Sequence, residues 1–199
     1  MKKLSLVLIS LIFFLKIANA STYSSDPKMF VSELITDSLN KLSDKNLSEE
    51  EKTTFIEIVA IENVDINALG LYTLGELRKT TDGKTLEKYQ LVFKKYFLKS
   101  LTSRLTDYSS NKFEIIDAEK KSSNYTIVKS KIIASNNKPE IKIDWRIYTK
   151  DPNKPLIRDL IVEGLSLART QKEEFNSVIQ NNDGDIGVLF KTLEAFIIK

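Results

Sequence analysis

The sequence predicts an α+β domain in which helices come first, a run of strands follows, and helices return. Three observations carry this. Apolar residues recur every three or four positions from Phe30 to Tyr108. The period then falls to two between Phe113 and Val162, with turn residues between the segments. A period of three to four comes back after Gly164 and lasts to the end.

The first twenty residues stand outside that pattern. Lys2 and Lys3 precede an apolar run from Leu4 to Ile17, and Ala18-Asn19-Ala20 follows as a small-residue cleavage site. The run is shorter than the roughly 20 apolar residues a spanning helix needs. Residues 1–20 are therefore expected to be a cleaved signal peptide, and 21–199 a single domain of a secreted protein. Three of the 30 basic residues lie in that segment, leaving 27 against 27 acids, so the mature chain is expected to carry no net charge. A global positive field for nucleic acid is then missing.

In the mature part, Asp26-Pro27 reads as an N-cap with proline at the first helical position, opening a helix over 27–43. Ser48 with Glu51 is a capping box for a helix over 49–62. Asp65 can cap a short helix with Ile66, Leu69, Tyr72 and Leu74, which Gly70 and Gly75 are expected to interrupt. Leu86, Tyr89, Phe93, Tyr96, Phe97, Leu101, Leu105 and Tyr108 form the longest stripe, either an ordinary core face or the wall of a cavity. Strands are expected near 112–120, 125–135, 141–148 and 156–162, joined by short turns into an antiparallel meander. In the third, Ile141, Ile143, Trp145 and Ile147 share one face, with Lys142, Asp144, Arg146 and Tyr148 on the other. Helices over 167–180 and from Ile186 to Ile197 close the chain.

Little catalytic chemistry is legible. There is no cysteine and no histidine. That removes disulfides, histidine-based zinc sites and the Ser-His and Cys-His nucleophile pairs. No phosphate-binding glycine loop occurs, and Asp183-Gly184-Asp185 is too short for a calcium loop and suits a helix cap. Asp144, Arg146 and Asp159 could meet on one sheet face, most simply as a rim ion pair. Lys94, Lys95, Lys99 and Arg104 line the long helix, either as a solvated face or as a contact for acidic lipid head groups.

Several segments together resemble the MlaC, or toluene-tolerance, family. These are Ile143-Asp144-Trp145-Arg146, then Arg158-Asp159-Leu160-Ile161-Val162-Glu163-Gly164-Leu165-Ser166-Leu167, then Glu174-Phe175. Upstream, Leu74-Gly75, Phe93 and Tyr108 are similar to further family positions. The chain departs from the family pattern at Arg78, Leu101 and Gln171-Lys172. The resemblance implies N- and C-terminal helices cupping a twisted four-stranded antiparallel sheet, with acyl chains in an apolar cavity between them. It implies a periplasmic phospholipid carrier with phospholipid as cargo and no cofactor, metal or catalytic residue. It also implies a monomer that shuttles between an outer-membrane lipoprotein complex and an inner-membrane ABC transporter complex.

The lining expected on that basis is Leu69, Tyr72, Leu74, Phe93, Phe97, Ile132, Ile143, Trp145, Ile147 and Leu160; each could equally be plain core. Two rivals remain at this point. One is a cone-shaped α+β enzyme acting on an apolar small molecule, with Asp144 and Tyr148 or Tyr125 as its working groups. The other is a periplasmic adaptor that binds only proteins.

Overall fold

Each helix begins where a polar side chain can take up the amide groups that a first helical turn leaves unpaired. The computed structural model describes residues 23–105, 112–134 and 139–199. Helix α1 spans Pro27–Ser43, and the Asp26 carboxylate accepts from the Met29 amide at 2.9 Å. Helix α2 spans Glu49–Asn63 behind the complete capping box of Ser48 and Glu51. Helix α3 spans Ile66–Thr73, capped by Asp65, and a 3₁₀ turn over Gly75–Lys79 follows. Gly70 does not interrupt α3, contrary to expectation. It lies buried inside the helix because the Phe93 ring packs on it; a Cβ there would sit 2.9 Å from a ring carbon. Gly75, at φ +58°, is where the backbone turns away. Helix α4 spans Gly83–Leu105, with Asp82 accepting from the Thr85 amide at 3.0 Å. Tyr108, expected to end the stripe, lies outside the described residues.

The sheet is an antiparallel meander in the order β1-β2-β3-β4-β5. Its strands are β1 (Phe113–Ser122), β2 (Tyr125–Ile132), β3 (Ile141–Tyr148), β4 (Leu156–Val162) and β5 (Leu165–Ser166). Five strands replace the expected four. The added one is the short return of a hairpin whose two turn residues, Glu163 and Gly164, sit at φ 49° and 83°. That left-handed pair matches the twist of the flanking strands. Ser135 and most of the turn over 136–139 fall outside the described residues. Helices α5 (Leu167–Gln180) and α6 (Ile186–Ile197) complete the chain, and Asp185 caps α6 through the Gly187 amide.

The apolar interior is divided. On one face of the sheet, Val128, Ile147 and Ile157 pack with Phe30, Val31 and Leu34 of α1 and Val59 of α2. A second cluster lies among the helices, where Tyr89 and Phe93 of α4 meet Phe175 and Ile179 of α5 and Leu189, Phe190 and Leu193 of α6. Tyr89 is fully buried there; its hydroxyl shares a 2.7 Å hydrogen bond with Thr73, and burial pushes its ionisation well above the ordinary phenol value. Neighbouring residues of α2 serve different clusters, Val59 the first and Ala60 the second, and Val64 packs against both. A domain of this size ordinarily gathers one contiguous core.

Candidate functional site

Two regions offer themselves, and they lie on opposite faces of the sheet. Strand pairing puts Val128 beside Trp145, and Trp145 beside Leu160, on the face that meets α1 and α2. The Trp145 indole N–H donates to Ser130 Oγ at 2.9 Å, and that hydroxyl donates to the Ile143 carbonyl at 3.1 Å. The indole is thus fixed by a chain of bonds that ends on its own strand. Trp145 and Leu160 are only partly buried at the margin of the sheet cluster. Leu69, Phe97 and Leu101 are partly buried at the margin of the helical one.

The other face carries a cleft of about 770 Å³. Ala68, Leu69 and Tyr72 of α3 and Ala168 of α5 form one wall. The sheet contributes Ile127 and Ile161, together with Lys129, Asp144, Arg146 and Arg158. The Lys121 ammonium, hydrogen-bonded to Glu119, holds that carboxyl below the ordinary carboxylate range. Arg158 donates to Asp65 and to the Tyr125 hydroxyl, each at 2.8 Å, and its guanidinium lies 3.4 Å from the Tyr148 ring centre. Arg146 reaches Asp159 at 3.4 Å, the pair anticipated from sequence.

Asp159 is the most buried charge of this network. It accepts from Ser166 Oγ at 2.6 Å and from the Ala168 amide at 3.0 Å, which ties β4 to the start of α5. Ser166 in turn caps that helix through the Arg169 amide. The run from Asp159 to Ser166 therefore folds as a corner: Asp159 clamps, Glu163-Gly164 turns, Ser166 caps. The Glu163 carboxylate also accepts from the Lys142 amide, closing the open end of the β3–β4 ladder.

The ten expected lining residues are distributed unevenly. Leu69 and Tyr72 line the cleft. Leu74 and Phe93 are buried in the helical cluster, with Phe97 packed against it. Ile147 is fully buried in the sheet cluster, with Trp145 and Leu160 at its margin. Ile132 and Ile143 are half-buried on the same sheet face as Val128 and Trp145. Sequence reasoning missed Arg158, Ile127 and Ile161 as cleft residues; the Tyr125–Tyr148 pairing beneath Arg158 is a cross-strand contact that only register reveals. Asp144, a working group of the rival enzyme, is half-buried in the open cleft, not sealed in an apolar pocket. Among the described residues no cluster of carboxylates is arranged to hold a metal ion. No helix among them is long and apolar enough to cross a membrane.

This architecture is shared with a phospholipid-binding protein from Ralstonia solanacearum, solved in complex with a phospholipid. The TM-score is 0.68 at 19% identity, over 84% of this chain and 94% of that one. A family model described as MlaC protein matches residues 31–195, and the chain belongs to the MlaC family. No curated protein matches the chain.

Proposed function

We propose that this protein is a periplasmic phospholipid carrier, exported by cleavage after Ala20, which passes lipid between outer-membrane and inner-membrane Mla complexes. The observation that carries the reading is the family match over residues 31–195. The fold shared with a solved phospholipid complex supports it, as does the apolar interior divided into two clusters.

The physical need is plain. A diacyl phospholipid has roughly 30 methylenes, and exposing them to water costs on the order of 24 kcal/mol at about 0.8 kcal/mol each. A protein that replaces one apolar environment with another removes most of that cost and can still release its cargo. The tails go to partly buried apolar side chains that retain free surface: Phe97 on the helical side, Ile132, Ile143, Trp145 and Leu160 on the sheet side, whereas Leu69 belongs to the wall of the cleft. Leu74, Phe93 and Ile147 are already enclosed and act as backing. The cleft on the opposite face is a poor place for tails, because methylenes there would strip water from Lys129, Asp144 and Arg146. No step in this activity needs a nucleophile or a proton shuttle.

The test is native mass spectrometry of mature protein purified from bacteria. The expected spectrum shows the chain plus a phospholipid mass, and Trp145→Asp with an unchanged far-ultraviolet spectrum carries less lipid. Bare chain mass in every preparation, with no lipid in an organic extract, would refute the carrier reading.

A further inference from the structure

Charge along this chain is segregated although its mature sum is zero. Residues 26–63, which form α1 and α2, hold nine acids against four bases. Helix α4 holds Lys84, Lys88, Lys94, Lys95, Lys99 and Arg104 against a single acid, Glu87. The lysines of α4 are also sorted by face. Lys84, Lys88, Lys95 and Lys99 are all exposed, and at about 100° per residue they fall within an arc of roughly 80°. Leu91 lies at one edge of that arc, near the middle of the row along the helix axis, and is 67% exposed, among the most exposed large apolar side chains described. At about 1.5 Å per residue the row is roughly 22 Å long. The opposite side of the same helix, with Tyr89 and Phe93, is buried in the helical cluster.

Within the molecule this row has little to neutralise it. Lys88 lies 4.7 Å over the Phe190 ring, a contact that leaves its charge in place. The ion pairs among the described residues lie elsewhere, on α2, on the 3₁₀ turn, in the sheet, between β4 and Asp65, and within α5.

We propose that the outer face of α4 docks on an anionic lipid bilayer surface. Charge complementarity selects an anionic partner. The choice of lysine points to a diffuse one: an ammonium is a compact, hydrated point charge, without the planar fork by which arginine grips individual carboxylates. Four point charges in a line, with one leucine among them, match a plane of phosphates with acyl chains just below it. The docking does not depend on whether the protein carries lipid, since the row lies on the outside of the helix and away from the apolar interior.

The experiment is co-sedimentation of the mature protein with vesicles of phosphatidylcholine alone or mixed with phosphatidylglycerol, at low and moderate salt. Each lysine near such a surface contributes a factor of roughly five in partitioning. The expected result is sedimentation with the anionic vesicles only, weakened by salt. Replacing the four lysines together (K84Q, K88Q, K95Q, K99Q) is expected to lower partitioning by about several hundredfold. Leu91→Ser should lower it a few-fold at unchanged charge. A control with Lys28, Lys45, Lys150 and Lys154 changed to Gln removes the same charge from other exposed sites and should retain most of the binding. Melting temperatures within a few degrees of wild type show that the variants fold. Equal losses in the two quadruple variants would overturn the proposal, as would binding to an acidic protein surface with no sedimentation on anionic vesicles.

Discussion

Replacing Asp159 with Ala tests whether the corner between β4 and α5 is a structural clamp. Three interactions are lost together: the bond from Ser166 Oγ at 2.6 Å, the bond from the Ala168 amide at 3.0 Å, and the 3.4 Å pairing with Arg146. Ala168 is the second residue of α5, so its amide has no partner within the helix. Leaving such a donor unpaired costs about 1–3 kcal/mol, and bonds to a charged acceptor contribute about 1.5–3 kcal/mol each. Arg146 is partly exposed and can rehydrate, so its pairing adds under about 1 kcal/mol. These terms overlap, and the expected loss is about 2–4 kcal/mol. With an m-value of about 2 kcal/mol/M, the urea midpoint should fall by about 1–2 M. Asp159→Asn keeps one acceptor and should lose about half as much. The assay is urea unfolding followed by far-ultraviolet circular dichroism. A midpoint shift below about 0.3 M for the Ala variant would show that the corner is held by something else.

Other substitutions probe the helical cluster and the start of α2. Phe93→Ala, at 3% exposure, should cost about 3–5 kcal/mol in urea unfolding. Gly70→Ala gains about 1 kcal/mol of helix propensity but drives a Cβ to 2.9 Å from the Phe93 ring, which costs about 1–3 kcal/mol. Combining it with Phe93→Leu should relieve the clash, and a double-mutant cycle should show a coupling above about 0.5 kcal/mol. Ser48→Ala should cost about 1 kcal/mol, because it removes the side-chain half of the capping box at the exposed start of α2.

The helices were legible because their starts are written in short-range chemistry. Asp26-Pro27, Ser48 with Glu51, and Asp185 each act within three residues of themselves, and the elements begin where those caps place them. Gly70 was misread because its reason is the Phe93 ring, 23 positions away and on another helix. Strand β5 escaped notice because two residues cannot show a period. The alternation of β3 was readable, so Trp145 and Asp144 were assigned to opposite faces. Which helices each face meets was not. Register shifts between Ile115 and Asp117 in β1, and opposite Arg146 and Ile147 in β4, change the parity of the strand, and only pairing reveals them. The cleft follows from that pairing together with the docking of α3 and α5 beside β4, which no local pattern encodes.

Trp145 is the sole tryptophan of the chain, and that permits a direct measurement. Purified protein is stripped of lipid, reloaded with phosphatidylcholine brominated along its acyl chains, and its tryptophan fluorescence compared with that after loading with the unbrominated lipid. If the tails lie against the half-buried indole on the α1–α2 face of the sheet, bromine quenches most of the emission. Emission that stays at its unbrominated level, in protein shown by extraction to hold the brominated lipid, would place the tails elsewhere and contradict the account.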